Sequence, residues 1–268
     1  MVLVAPTSPA PSKKRRGADA RAASLHDTML GLTQLPDARE EAQAVGALLR
    51  VPARLGAQAS EATLRSQILP GQAPRLLHLA THGVFPDEVA TEVRADKRTR
   101  SRLVGAVPEA SQPASATTDL LGPQLEEPML QSALALSGAA HARQAQDSQT
   151  DGVLTADEAR ELPLEGNELV VLSACQTALG SVRAGDGVYG LRRAFLAAGA
   201  EAVVASLWRV ADRETRSLMT RYYDLLVKER RPRIMAMREA MQAMKKDRPH
   251  PYYWAPFIAI GRDEPLRP

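Results

Sequence analysis

Three short aliphatic runs alternate with amphipathic stretches in this chain, and that alternation limits the fold more than any other feature. The runs are Leu76-Leu77-His78-Leu79-Ala80, Leu169-Val170-Val171-Leu172 and Ala202-Val203-Val204-Ala205-Ser206-Leu207. Each is too short for a buried helix, and each is bounded by breaker or polar residues, so each reads as a strand buried on both faces. Val2-Leu3-Val4 and Phe257-Ile258-Ala259-Ile260 read as two further strands. Strands separated by helices predict an α/β fold with a mainly parallel sheet and helices on both faces.

The helices have local signatures. Residues 35–50 carry Leu35, Ala42, Val45, Leu48 and Leu49 at helical spacing, with Glu40 and Glu41 early. Ser60 opens a helix running to Leu69, and Thr155 with Glu158 forms a capping box. Gly185-Asp186-Gly187 introduces a helix through Leu191 and Phe195 that Gly199 ends. Residues 213–230 and 232–247 are two more amphipathic helices. No internal repeat is present, and residues 1–268 read as a single domain. Two segments break the pattern. Residues 6–30 read as a flexible segment, and residues 86–127 as a long, disordered insertion loop.

Aromatic residues make up only 4% of the chain, so the core must rest on Leu, Val, Ile and Ala. The net charge is +3, and much of the positive charge sits in Lys13-Lys14-Arg15-Arg16. The rest is nearly balanced, which argues against a nucleic-acid-binding surface. A single cysteine, Cys175, excludes an internal disulfide and a multi-cysteine metal site, and points to a reducing, cytoplasmic setting. No stretch approaches the roughly 18 apolar residues of a membrane span. Pro6 cuts the N-terminal apolar run too short for a signal peptide.

Ligands of parallel α/β sheets bind beyond the carboxyl ends of the strands. Two of the aliphatic runs lead into Thr81-His82-Gly83 and Ser173-Ala174-Cys175, which places His82 and Cys175 at one rim. A thiol is a strong nucleophile only as the thiolate, and an adjacent imidazole can take its proton and later give it to the leaving amine. Gly83 lets a backbone N–H approach a substrate closely, and the Cys175 N–H is the natural second oxyanion donor. On chemistry alone, an inert buried cysteine is an equal alternative. His78 lies inside an apolar run and reads as a satisfied core or supporting histidine, while His26, His141 and His250 read as surface residues. No metal site or cofactor is expected.

The motifs around these residues occur in a recognisable order. They are Leu77-His78-Leu79-Ala80-Thr81-His82-Gly83, Val171-Leu172-Ser173-Ala174-Cys175-Gln176-Thr177-Ala178-Leu179-Gly180 and Gly185-Asp186-Gly187-Val188-Tyr189-Gly190-Leu191-Arg192-Arg193-Ala194-Phe195. Ala198-Gly199-Ala200, Ser206-Leu207-Trp208-Arg209-Val210-Ala211-Asp212 and Pro251-Tyr252-Tyr253-Trp254-Ala255-Pro256-Phe257 follow. Over roughly residues 34–262 the chain resembles a CHAT domain, a caspase-like, separase-related peptidase often fused to tetratricopeptide repeats. The resemblance implies a caspase–hemoglobinase fold, with His82 on the catalytic histidine and Cys175 on the nucleophile. It further implies a protein substrate, cleavage after a basic residue, and an acidic pocket filled by Asp212 or, as a rival, Asp186. Both aspartates have a plainer reading as helix-start residues.

No tetratricopeptide repeat is present in this chain. The family resemblance implies control by a sensor or regulatory partner in bacterial defence or cell death, with a target that is sometimes a gasdermin-like pore former. The insertion carries Arg94, Arg98, Arg100 and Arg102, which makes self-cleavage there an option beside a merely basic loop. The competing reading is a catalytically silent scaffold or regulatory binding module. A nucleotide-binding domain is disfavoured, because Gly185-Asp186-Gly187 has no Lys-Ser/Thr partner.

Overall fold

A computed structural model describes residues 2–4, 35–84, 132–144, 147, 150–174, 184–208 and 212–268. The two segments read above as flexible and as a long insertion, 6–30 and 86–127, lie outside the described residues. So do Cys175 and the arginines of the insertion.

The main sheet has the order β2-β1-β3-β6-β7-β8. Its strands are β1 (Val2–Val4), β2 (Ala53–Leu55), β3 (Leu76–Val84), β6 (Leu169–Ala174), β7 (Ala202–Ser206) and β8 (Phe257–Gly261). The first five run parallel, and β8 closes the edge antiparallel to β7. The predicted mainly parallel α/β sheet is therefore present. Strand β3 is longer than the aliphatic run suggested, because its end gains a new partner. Residues His82, Gly83 and Val84 pair antiparallel with β4 (Ala133–Ala135), which in turn pairs with β5 (Val153–Thr155). This hairpin was not foreseen, since three-residue strands are too short to show a period.

The helices are α1 (Pro36–Leu49), α2 (Glu61–Gln67), α3 (Ala156–Arg160), α4 (Ala184–Ala197), α5 (Asp212–Val227), α6 (Arg233–Asp247) and α7 (Pro251–Trp254). The Ser60 hydroxyl accepts from the Thr63 N–H at the start of α2, and the Thr155–Glu158 capping box opens α3 as expected. Gly199, at φ 109°, ends α4 in a conformation that suits glycine. Gly185-Asp186-Gly187 falls inside the first turn of α4 rather than ahead of it.

Strand alternation sorts the core into two layers. Leu77, Leu79, Val170, Leu172, Val203 and Ala205 face α2, α3 and α4. Ala80, Leu169, Val171, Ala202 and Val204 face α1, α5 and α6. Both faces of the sheet are thus covered, and aliphatic residues carry most of the packing.

At the amino ends of the parallel strands lies a cluster of opposite charges. Glu168, just before β6, accepts a hydrogen bond from Arg75 Nε and one from the Arg267 N–H at 2.7 Å. Arg233, at the start of α6, stands 3.4 Å from Glu168 and 2.9 Å from Glu201. Burial alone would raise the Glu168 pKa, but the Arg75 bond, the Arg267 N–H and the charges of both arginines outweigh it and hold the carboxyl below its ordinary value. Removing the carboxylate takes from the buried Arg233 one of its two carboxylate partners and leaves Arg75 and the Arg267 N–H without theirs. Glu168→Ala is expected to cost about 3–5 kcal/mol in urea unfolding, against less than about 1 kcal/mol for Asp157→Ala at the exposed Arg160 pair.

Candidate active site

The β3–β6 ladder fixes the geometry of the rim. Its last register pair among the described residues is Thr81 with Ala174. His82 follows Thr81 by one peptide bond, and Cys175 follows Ala174 in the same way. Parallel pairing therefore brings the two strand ends that lead to the proposed pair side by side. His82 itself is buried, at 3% exposure, and is paired in register with Ala135 of β4. By strand alternation it shares a face with His78 and Ala80, the face covered by α1 and α5. Gly83 is buried in the same strand, opposite Leu134.

Two hydroxyls bind backbone carbonyls beside these positions. Thr81 Oγ1 donates to the Ala135 carbonyl, tying β3 to the hairpin at the residue that faces His82. Ser206, the last residue of β7, donates through Oγ to the Ala174 carbonyl at 2.7 Å. Ser206 belongs to a strand whose other residues are Ala and Val. That polar end of an aliphatic run was the only sequence signal for it.

His78 takes the supporting position expected of it. Its Nδ1 lies 3.1 Å from the Tyr223 hydroxyl of α5 and its Nε2 lies 3.1 Å from Glu41 Oε1 of α1. All three residues are buried. Burial, and to a lesser degree Tyr222 and Glu41, push the Tyr223 phenol well above its ordinary pKa, so it keeps its proton. The Nδ1–Tyr223 contact is a hydrogen bond, whereas Nε2 and Glu41 Oε1 stand close without hydrogen-bond geometry. The group joins two helices to β3 four residues before His82. Glu41 and Tyr223 were not singled out in the sequence, because a carboxylate or a tyrosine on an amphipathic helix carries no sign of a buried partner.

The other candidates are placed as follows. Asp212 is the first residue of α5, which packs on the His82 face, whereas Asp186 lies in the first turn of α4, which packs on the opposite face. His141 and His250 are exposed, and His250 Nδ1 caps α7 by accepting from the Tyr252 N–H at 3.2 Å. His26 lies outside the described residues. No described helix is long and apolar enough to cross a membrane.

The hairpin that flanks His82 is anchored by a buried carboxyl. Glu61 of α2 accepts from Arg65 at 2.8 Å and from the Gly152 N–H at 3.3 Å, just before β5. Gly152 has φ +86°, and a Cβ there would stand 2.5 Å from the Ala139 nitrogen. Desolvation raises the Glu61 pKa to about 7; the Arg65 bond and charge oppose the rise, and nearby Glu158 adds to it. The folded chain thus holds a proton at Glu61 that the unfolded chain releases near 4.5. Stability from this group is full below pH 4.5 and falls as pH rises through about 7. Urea midpoints from pH 5 to 8 are expected to fall more steeply for the wild type than for Glu61→Gln, the difference amounting to about 2–3 kcal/mol.

Over residues 5–262 the sequence matches the family model described as the CHAT domain. It is also 38% identical over 116 residues to tetratricopeptide repeat protein 28 of Mus musculus, and to the same extent to that of Homo sapiens. The aligned part is 42% of this chain, and the chain spans about 5% of the length of those relatives.

Proposed function

The chain belongs to the CHAT domain family, which is caspase-like and peptidase-related, and we propose that it is a cysteine endopeptidase with Cys175 as nucleophile and His82 as its base. The observation that carries this reading is the Thr81–Ala174 register pair. It sets side by side the strand ends that lead into the two residues. If the pleat of β6 continues by one residue, Cys175 falls on the His82 face.

In this mechanism His82 takes the thiol proton, and the thiolate adds to the carbonyl carbon of the scissile peptide. The N–H groups of Gly83 and Cys175 receive the oxyanion. Collapse of the tetrahedral adduct breaks the C–N bond, and the imidazolium gives its proton to the leaving amine. Water then attacks the thioester, with His82 again as base, and releases the carboxylic acid and the free thiol. The imidazole is held on a rigid strand, because His78, Glu41 and Tyr223 fix β3 to the helices above it.

The substrate is a protein cut after a basic residue. Asp212 fits the role of the pocket carboxylate better than Asp186, because α5 covers the His82 face and α4 the other. A carboxylate there would receive a guanidinium as a two-pronged pair. A sensor or repeat-bearing partner would control access, in keeping with the repeats named in the curated relatives. Bacterial defence or induced cell death is the setting in which such a switch would act, and a gasdermin-like pore former would be one kind of target.

Profiling with a peptide library tests this reading. Arginine or lysine is expected before the cut, and Cys175→Ala or His82→Ala should lower kcat/KM at least about a thousandfold. Asp212→Ala should raise KM for arginyl substrates about tenfold or more. A preference for an acidic or aliphatic residue before the cut would overturn the pocket assignment. Cleavage that persists in Cys175→Ala would overturn the nucleophile.

A further inference from the structure

We propose that the groove between the C-terminal ends of α1 and α5 is a docking site for an acidic, aliphatic-rich segment of a partner protein. The groove lies at the amino end of β3, the end opposite His82. The inference concerns binding and stands whether or not the chain is a peptidase.

The groove has a volume of about 850 Å³, within the range of cavities that hold ligands. Leu48 of α1, Leu76 of β3 and Leu226 of α5 give it apolar walls. Val51 and Val227 also line it, at 37% and 38% exposure. They are two of the five exposed large hydrophobic residues among the described residues, so apolar surface is concentrated here.

The charge on the same surface has one sign. The lining includes Arg50, Arg75, Lys228, Arg230 and Arg267, and no aspartate or glutamate. Glu168 pairs with Arg75 and Arg267, and Asp224 pairs with Lys228. Arg50 and Arg230 have no carboxylate partner among the described residues, and the Arg230 guanidinium donates to the Leu266 carbonyl at 3.2 Å.

The backbone singles out the same two arginines. Arg50, at φ 56°, and Arg230, at φ 52°, are the non-glycine residues with positive φ among the described residues. Arg50 ends α1, and Arg230 follows shortly after α5. A left-handed position after a helix favours glycine, because a Cβ there meets the neighbouring carbonyl. Gly199 fills such a position after α4. The two sites at this groove instead carry long cations beside exposed apolar surface. Separated cations around apolar walls suit a chain that presents several carboxylates with aliphatic side chains between them. A ligand with a single anionic head would leave one guanidinium unmet.

A plainer role for both arginines is to sit against the negative end of a helix dipole and serve folding alone. Glycine variants separate the two roles, since they ease φ while removing the cation. A synthetic library of short fluorescent peptides built from Asp, Glu, Leu, Ile and Val is titrated into the full chain by anisotropy. Matched libraries carry Lys in place of the acids, or Ser in place of the aliphatic residues. Saturable binding is expected from the first library and none from the other two.

Arg50→Gly and Arg230→Gly should each weaken the best binder about fivefold to tenfold, with melting temperatures equal to or above that of the wild type. Combining Arg50→Glu with Arg230→Glu should abolish binding; if that chain does not fold, the glycine variants decide. Bound peptide should slow hydrogen exchange at residues 47–51 and 226–230. Glycine variants that melt lower and bind as the wild type does would overturn the docking site and leave the arginines their dipole role. An acidic–aliphatic library without a binder, or protection confined to other residues, would overturn it as well. Sedimentation with phosphatidylglycerol vesicles that the charge reversals abolish, with no peptide bound, would overturn it in favour of a lipid surface.

Discussion

The parallel pairing of β3 with β6 is the contact on which the rest of the molecule depends. Its six register pairs run from Leu76–Leu169 to Thr81–Ala174. Because the pairing is parallel and in register, both strands end at the same rim and differ by no offset. A slip of one residue would move every side chain of one strand to the other face. The split of the core prevents such a slip, since Leu77 and Leu79 face one helical layer while His78 and Ala80 face the other.

The two ends of this ladder are secured by different means. At the amino end, buried charge does the holding. Glu168, Arg75, Arg233, Glu201 and Arg267 join the starts of β3, β6 and β7 to α6 and the C-terminal residues. A set of this kind adds little net energy over an apolar equivalent, but it punishes the loss of any one partner. At the carboxyl end, the hydroxyls of Thr81 and Ser206 donate to backbone carbonyls. Neutral donors suit that end, because a fixed ion pair near the proposed dyad would bias the charge of the histidine and the thiol.

His78 and His82 show how position within one strand divides roles. Both lie on the same face of β3. His78 sits where α1 and α5 cover the sheet, with its Nδ1 hydrogen-bonded to Tyr223 and its Nε2 3.1 Å from Glu41. His82 lies one residue beyond the last described β3–β6 pair, where β3 also pairs with β4.

The main buried strands, their mainly parallel sheet with helices on both faces, and the strand ends that carry His82 and lead to Cys175 were legible in the sequence, because aliphatic runs of four to six residues between helices have few other ways to be buried. The caps at Ser60 and Thr155 were legible for a local reason, as each involves residues three apart. What the sequence could not carry was contact between distant elements. The β4–β5 hairpin, the Glu41–His78–Tyr223 group and the Ser206 bond to Ala174 all join residues far apart in the chain, and none has a local period or motif. The sequence by itself determined which residues alternate between the two faces of each strand, since strand periodicity is a property of neighbours. Only the tertiary structure decided that Thr81 stands opposite Ala174 and that Asp212 and Asp186 begin helices on opposite faces, since register and layering are set by packing between elements.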